Sequence, residues 1–296
     1  MLFDEPTLRK LNTLTLVANK IRAGAMKGDR RSKKRGVSIE FADYRDYVPG
    51  DDLRHLDWNV YARLEKPFIK LFEEEEDLAV HILVDASKSM NWGGETNPDH
   101  NKFDFARKLA AALGTIALSA GDQITLGFLT PTGIGAQYGP ARGPHHTLRL
   151  LSFLTNQQTN GQTDLTHSLQ TYALTSRRPG LTFLLTDLLD PNGYETGLSK
   201  LQARGHELVL IHLLAPDELD PQLAGDLKFV DTETGYTQEV SLDGGIRDLY
   251  RNRVTAWQDE IHRFCQKREI HYLPLSTEVP WDKVVLFQMR REGIVK

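Results

Sequence analysis

The feature that most constrains this sequence is a short apolar run that ends in three oxygen-bearing side chains. Residues 78–90 read Leu-Ala-Val-His-Ile-Leu-Val-Asp-Ala-Ser-Lys-Ser-Met. The length and the aliphatic, β-branched composition of this run are typical of a strand buried in a parallel sheet. Open α/β sheets bind ligands at the carboxyl ends of their strands, and Asp85, Ser87 and Ser89 follow the run at that end. They suit a small cation that prefers oxygen ligands, although Asp and Ser are equally ordinary turn residues.

The rest of the chain repeats this alternation of apolar strands and helices. Buried strands are predicted at residues 123–129, 181–187 and 207–214, and long helices at 102–120 and 244–267. A short edge strand is expected around residues 136–138, whereas residues 281–291 fit a helix or a strand. Because the strands are continuously apolar and separated by helices, we expect an α/β fold with a doubly wound, mainly parallel sheet flanked by helices. Residues 78–296 would form this main domain.

Residues 1–77 are expected to form an N-terminal elaboration packed on the main domain. An amphipathic helix is predicted over residues 7–25, followed at 27–36 by a loop with six basic residues and one acid. Such a loop is either solvated or a contact for an acidic partner or a nucleic acid. The next segment, residues 37–63, alternates aromatic residues with acids and arginines, which indicates either internal salt bridges or a partner surface. The salt bridges would join Arg45, Arg54 and Arg63 to Asp43, Asp46, Asp52 or Asp57, and the candidate partner-binding residues are Arg45, Arg54, Asp57, Trp58 and Arg63.

Composition excludes several classes of function. With 36 basic and 40 acidic residues the formal net charge is −4, which argues against a dedicated nucleic-acid binder. No apolar stretch reaches the length of a membrane span and the N-terminus lacks a signal pattern, so we expect a cytoplasmic protein. A hydrolase could use Ser87 or Ser89 with His81 and Asp187, but the sequence has no Gly-x-Ser-x-Gly motif.

Two further side chains extend the first motif. Thr163 lies at the start of a predicted helix, and Asp187 follows the strand 181–187. In a doubly wound sheet the loops carrying them open on the same carboxyl edge as Asp85, Ser87 and Ser89. We therefore expect the five residues to form one oxygen-lined site.

These motifs resemble the metal-ion-dependent adhesion site of von Willebrand factor type A domains. The Asp-x-Ser-x-Ser motif of that family matches Asp85 to Ser89, its threonine matches Thr163 in Gly-Gln-Thr-Asp-Leu, and its later aspartate matches Asp187 in Leu-Thr-Asp. In addition, Phe-Ala-Asp-Tyr-Arg-Asp-Tyr-Val-Pro-Gly-Asp-Asp-Leu-Arg-His-Leu-Asp-Trp at residues 41–58 is similar to the hallmark of the bacterial family called domain of unknown function 58.

The resemblance implies a function for the predicted site. Mg²⁺ or Mn²⁺ would be held by Ser87, Ser89 and Thr163, with Asp85 and Asp187 acting largely through water. An acidic side chain of a protein partner would complete the coordination. The partner implied by the resemblance is a MoxR-type AAA+ ATPase or its client. The expected function is a non-enzymatic adaptor or co-chaperone, and the alternatives are a structural scaffold or a metal-dependent hydrolase.

Overall fold

The computed structural model of the chain describes residues 3–18, 39–74, 78–93, 98–159, 161–221, 225–230, 237–242 and 244–296. The chain divides into two compact units. The larger unit comprises Met1–Arg22 and Leu78–Lys296, and the smaller comprises Ala23–Asp77. The predicted basic loop at 27–36 lies outside the described residues.

The strands and helices are numbered here in chain order. The strands are β1 (Ile39–Asp46), β2 (Phe68–Glu74), β3 (Ala79–Asp85), β4 (Gln123–Thr130), β5 (Gly133–Arg142), β6 (Leu181–Thr186), β7 (Glu207–Leu214), β8 (Gly225–Val230), β9 (Thr237–Leu242) and β10 (His271–Ser276). The α-helices are α1 (Glu5–Leu11), α2 (Trp58–Leu64), α3 (Lys102–Ser119), α4 (Thr147–Thr155), α5 (Leu165–Thr175), α6 (Glu195–Ala203), α7 (Pro216–Leu219), α8 (Gly244–Lys267), α9 (Trp281–Lys283) and α10 (Met289–Arg291).

A six-stranded sheet forms the centre of the larger unit. Its strand order is β10-β7-β6-β3-β4-β5, and β5 is antiparallel to β4 while the other neighbouring pairs are parallel. The mixed α/β architecture with a mostly parallel sheet flanked by helices is therefore as predicted. The central position of β3 places the end of the first motif in the middle of the sheet's carboxyl edge.

Each face of the sheet carries a hydrophobic layer. Because successive side chains of a strand point to opposite faces, Val80, Ile82 and Val84 of β3 belong to the cluster that contains α3 and α4. Leu83 belongs to the opposite cluster, with α5, α6 and part of α8. Every residue of β3, β6 and β7 is buried, which explains why these strands are continuously apolar.

A helix was predicted over residues 7–25, of which residues 19–25 lie outside the described part of the chain. Helix α1 ends at Leu11, and Leu16 then forms an antiparallel bridge with Val295. Leu14 and Leu16 are buried while Thr13 and Thr15 are exposed, which is the period-two alternation of an extended chain. The prediction was wrong over residues 12–18 because leucines spaced by two and three residues also match a helical pattern.

The structure also corrects the length of one predicted strand and settles the type of one ambiguous segment. Strand β5 runs over ten residues, Gly133–Arg142, where only a short strand at 136–138 was predicted. Residues 281–291, which fitted a helix or a strand, are helical throughout.

In the smaller unit, β1 pairs antiparallel with β2, and α2 lies between them in sequence. Asp57 caps α2, since its Oδ1 accepts hydrogen bonds from the backbone amides of Asn59 and Val60. Its Oδ2 accepts a 2.7 Å hydrogen bond from the Tyr44 hydroxyl and lies 3.0 Å from Lys70 Nζ. Strand β1 was not predicted, because its alternation of apolar and charged residues is interrupted at Ala42, where the pairing with β2 shifts in register.

The ion pairs of this unit agree only in part with the expected ones. Arg54 pairs with Asp52, which was one of its predicted partners, at 2.6 Å. Arg45 instead forms two hydrogen bonds, of 2.7 and 2.6 Å, with Asp51. That choice follows from the turn after β1, where Asp51 also accepts a hydrogen bond from the amide of Val48.

Candidate metal site

Asp85 connects the ends of two neighbouring strands. It is the last residue of β3, and its side chain is buried. Oδ1 accepts a 2.9 Å hydrogen bond from the backbone amide of Ser87, and Oδ2 accepts a 2.7 Å hydrogen bond from the Thr186 hydroxyl at the end of β6. These contacts fix the carboxylate and the loop that follows it.

The two serines of the motif come together directly after β3. Their Oγ atoms share a hydrogen bond of 2.9 Å, with Ser87 buried and Ser89 half-buried. A 3₁₀ turn, Lys88–Asn91, begins immediately after Ser87 and brings Ser89 back toward it. The two hydroxyls therefore present adjacent oxygens at the sheet edge.

Thr163 joins the serines through a contact between two loops. The backbone amide of Lys88 donates a 2.8 Å hydrogen bond to the carbonyl of Gly161, which holds the two loops against each other. Gly161 has a φ of +69°, a conformation that glycine adopts at little cost. Helix α5 begins at Leu165 with Asp164 as its N-cap, so Thr163 lies just before the helix. The Thr163 hydroxyl is buried, and none of the described residues offers it a hydrogen bond.

Asp187 completes the predicted set on the residue after β6. Only 1% of its surface is exposed. Oδ1 accepts a 3.2 Å hydrogen bond from the amide of Leu189, and Oδ2 accepts a 2.8 Å hydrogen bond from Lys102 Nζ. Lys102 is fully buried and also donates a 2.6 Å hydrogen bond to Glu218 Oε1. The other oxygen of Glu218 accepts a 2.8 Å hydrogen bond from the amide of Ala215.

Sequence reasoning missed Lys102 and Glu218. A lysine as the first residue of α3 is unfavourable toward the helix dipole, and that mismatch was a signal that a negative group lies nearby. Glu218 lies in the short helix α7 that follows β7, at the same carboxyl edge of the sheet as the other residues. The expectation that ligands bind at this edge could therefore have included it.

Burial and charge set the protonation of these groups. Burial and the nearby negative charge of Asp187 raise the pKa of Asp85, against the opposing effect of its hydrogen bonds from Thr186 and Ser87. Burial raises the pKa of Glu218 and Lys102 opposes this only in part. Burial alone would lower the pKa of Lys102, but the two carboxylates outweigh it and the pKa is raised. Lys102 is thus a charged ammonium.

The donor set fits a hard divalent cation. Three hydroxyls and two carboxylates supply oxygen ligands, which Mg²⁺ and Mn²⁺ prefer. Among the described residues, no group of three or more His, Cys, Asp and Glu side chains is arranged to hold a metal, so a zinc-type site is not indicated there. The unpartnered Thr163 hydroxyl supports the fit, because a buried polar atom without a partner costs free energy that a ligand would recover.

The remaining candidate residues lie elsewhere. His81 is held within β3, with Nδ1 2.7 Å from the Tyr172 hydroxyl and Nε2 3.0 Å from the carbonyl of Arg178. The five candidate partner-binding residues, Arg45, Arg54, Asp57, Trp58 and Arg63, all belong to the smaller unit. Trp58 and Arg63 are exposed on α2, and 61% of the Trp58 surface is accessible.

A family model described as "Protein of unknown function DUF58" matches residues 43–260, which is more than half of the chain. The chain belongs to this family. A curated relative, an uncharacterized protein of Mycobacterium tuberculosis, is 29% identical to this DUF58 protein over 297 residues and covers 98% of it and 92% of the relative. An uncharacterized protein of Mycobacterium avium is 28% identical over 160 residues, covering 52% of this chain and 94% of the relative.

Among solved structures, a conserved hypothetical protein, BatB, from Bacteroides thetaiotaomicron matches with a TM-score of 0.44 and 11% identity, covering 73% of this chain and 98% of that one. An aerotolerance-related membrane protein from Bacteroides fragilis matches with a TM-score of 0.43 and 13% identity, covering 73% and 96%. In the described part of this DUF58 chain, no helix has the length and apolar composition needed to cross a membrane.

Proposed function

We propose that this DUF58 protein is a von Willebrand factor type A-like module that binds a protein partner through Mg²⁺ or Mn²⁺. The ion would be held at a metal-ion-dependent adhesion site composed of Asp85, Ser87, Ser89, Thr163 and Asp187. Support comes from the parallel sheet with β3 at its centre and from the position of all five residues at its carboxyl edge.

The Thr163 hydroxyl is the observation that carries the proposal. It is buried, it has no hydrogen-bond partner in the part of the chain that the structure describes, and its loop is held to the serine loop by the contact between Lys88 and Gly161. A purely structural turn would be expected to satisfy such a hydroxyl with a protein donor or acceptor. A cation ligand accounts for it better.

The protein's own groups divide the work. Ser87, Ser89 and Thr163 offer neutral oxygens. Asp85 and Asp187 already accept hydrogen bonds on both carboxylate oxygens, from Ser87 and Thr186 and from Leu189 and Lys102, which favours contact through water over direct ligation. A cation held mainly by neutral oxygens supplies an electron-poor position that attracts a carboxylate.

The partner would therefore offer an acidic side chain. On the resemblance of its motifs, we propose a MoxR-type AAA+ ATPase or its client, with this protein as a cytoplasmic adaptor or co-chaperone. A catalytic role is not proposed, since both nitrogens of His81 are engaged by Tyr172 and Arg178 and offer no base to the serines. The exposed Trp58 and Arg63 in the smaller unit would form a second partner contact.

The test is capture of a purified MoxR-type ATPase from the same bacterium on immobilised wild type, in Mg²⁺ and in chelator. Wild type should retain the ATPase in Mg²⁺ only, and Ser87→Ala should lose most of this retention while remaining folded. The matched control is Ser152→Ala on the exposed side of α4, which should behave as wild type. Equal capture by wild type and Ser87→Ala in both buffers would contradict the proposal, as would a metal-dependent hydrolytic activity that Asp85→Ala abolishes.

A further inference from the structure

Lys102 is a positive charge built into the candidate metal site. Its Nζ lies 2.8 Å from Asp187 Oδ2 and 2.6 Å from Glu218 Oε1, and its side chain is fully buried. A divalent cation at the neighbouring hydroxyls would meet this ammonium as a like charge. Both would draw on the same carboxylate.

The position of the ammonium is fixed from three elements. Lys102 opens α3, Asp187 follows β6, and Glu218 belongs to α7 after β7. Asn101, the N-cap of α3, accepts a hydrogen bond from the amide of Asp104 and so anchors the helix end that carries the lysine. The ammonium cannot swing into solvent without breaking two charged hydrogen bonds in a buried environment, which is costly.

We infer that Lys102 competes with the divalent cation for Asp187 and thereby makes metal binding depend on the partner's carboxylate. This inference rests on the proposed function and adds its regulation. With Asp187 committed to Lys102 and Asp85 placed to act through water, the cation lacks a direct anionic protein ligand and is held weakly. An incoming carboxylate supplies the missing charge, so the cation and the partner strengthen each other's binding.

Glu218 tunes this competition. It shares the ammonium with Asp187, and thus weakens the hold of Lys102 on the site carboxylate. Lys102 and Glu218 are positioning residues in this scheme, since neither needs to touch the cation. Removal of Lys102 should raise metal affinity and removal of Glu218 should lower it, and competition for Asp187 further predicts that the effect of removing Lys102 depends on the anion.

The experiment measures Mn²⁺ affinity by electron paramagnetic resonance, with either chloride or acetate as the anion at equal ionic strength. Wild type should bind Mn²⁺ more tightly in acetate, which stands in for the partner's carboxylate. Lys102→Met keeps the straight side chain and removes the charge. It should bind Mn²⁺ in chloride roughly tenfold more tightly than wild type, because a like charge is gone, and the acetate effect should shrink toward none.

Glu218→Gln should bind Mn²⁺ severalfold more weakly than wild type. The ammonium of Lys102 then pairs with Asp187 alone and holds that carboxylate more strongly. Lys108→Met is the matched control, since it removes a lysine of the same helix that pairs with Asp104 instead, and it should leave Mn²⁺ affinity unchanged. If Lys102→Met does not fold, the weakening in Glu218→Gln and the acetate effect in wild type decide the question.

The outcomes separate this inference from the proposed function. Wild type that binds no Mn²⁺ in either anion would overturn both. Wild type that binds Mn²⁺, with Lys102→Met or Glu218→Gln equal to it in both anions, would overturn the role of Lys102 and leave the metal site standing. A shift of both variants in the same direction would also overturn it.

Discussion

Thr163 is the residue whose replacement best separates metal binding from folding. Thr163→Val keeps the shape of the side chain and removes a buried hydroxyl that has no hydrogen-bond partner. In chelator, the free energy of unfolding should therefore stay within about 0.5 kcal/mol of wild type or increase. In Mg²⁺, wild type should gain about 2.7 kcal/mol at a hundredfold excess over Kd, and the variant should lose most of this gain. Thermal and urea unfolding followed by circular dichroism measures both.

The matched control is Thr186→Val. The Thr186 hydroxyl donates to Asp85 Oδ2 and accepts a 3.0 Å hydrogen bond from the amide of Leu188, so its loss should cost about 1–3 kcal/mol even in chelator. Equal destabilisation of the two variants in chelator would mean that the Thr163 hydroxyl has a structural role.

At the scale of single residues, the sequence predicted those site residues that belong to a short local motif. Asp85, Ser87 and Ser89 lie within five residues at the end of one strand. Because loops at the carboxyl ends of parallel strands share one edge of the sheet, Thr163 and Asp187 were expected beside them. Lys102 and Glu218 are far from each other and from Asp187 in sequence, so their ion pairs arise only from how α3 and α7 pack. No short motif encodes such a pair.

At the scale of elements, two buried histidines make the free energy of unfolding depend on pH. His81 of β3 and His206, just before β7, have ring centroids 4.9 Å apart. Burial, followed by the charge of His206, lowers the pKa of His81 to about 3, and burial lowers that of His206 to about 4. The unfolded chain takes up these protons near pH 6.5 and the folded protein does not, so stability present above pH 6.5 is lost as the pH falls toward these values.

Each such histidine should cost about 2 kcal/mol of unfolding free energy between pH 7 and pH 5. His81→Phe keeps an aromatic ring in contact with His206 and Tyr172 and removes one titrating group. It should be less stable than wild type at pH 7, since the contacts with Tyr172 and Arg178 are lost, but it should lose about 2 kcal/mol less on going to pH 5. Urea unfolding of both proteins at the two pH values measures the difference. The contributions of the other titrating groups are common to both proteins and cancel. An unchanged pH dependence would show that His81 is charged in the folded state.

The elements that the sequence predicted best are the buried strands, which are short apolar runs bounded by turn residues. Strands β3, β6 and β7 are continuously apolar because both faces are covered, and they were found. Residues 12–18 were assigned to a helix because Leu14 and Leu16 fit two periods, and only the pairing of Leu16 with Val295 decides between them. Strand β1 was missed because its period of two is broken at Ala42, where its register with β2 shifts.

At the scale of the whole molecule, the larger unit is closed by a pairing between its two ends. Leu16 is buried and bridges Val295, while the amide of Thr15 donates to the carbonyl of Lys296 and the amide of Lys296 donates back to Thr15. Leu16→Ala should cost about 2–5 kcal/mol, the usual range for a buried leucine.

This cost should be seen mainly as faster unfolding. A contact between residues so far apart in sequence is expected to form after the folding transition state, so the folding rate should change little. Stopped-flow folding and unfolding in urea measures the two rates. Leu113→Ala, in the core helix α3, is the comparison variant and should slow folding more. A folding rate reduced as much by Leu16→Ala as by Leu113→Ala would place the end pairing in the folding nucleus.

The pairing of Leu16 with Val295 also sets an order of events during synthesis. Residues 3–18 leave the ribosome long before the segment around Val295, which pairs with Leu16, has been made. At 5–20 residues per second the interval between the two is roughly 15–60 s. Throughout that time Phe3, Leu11, Leu14 and Leu16, all buried in the finished protein, have no completed core to join. The nascent chain therefore carries these apolar side chains without their final partners throughout that interval, during which a holding chaperone could cover them.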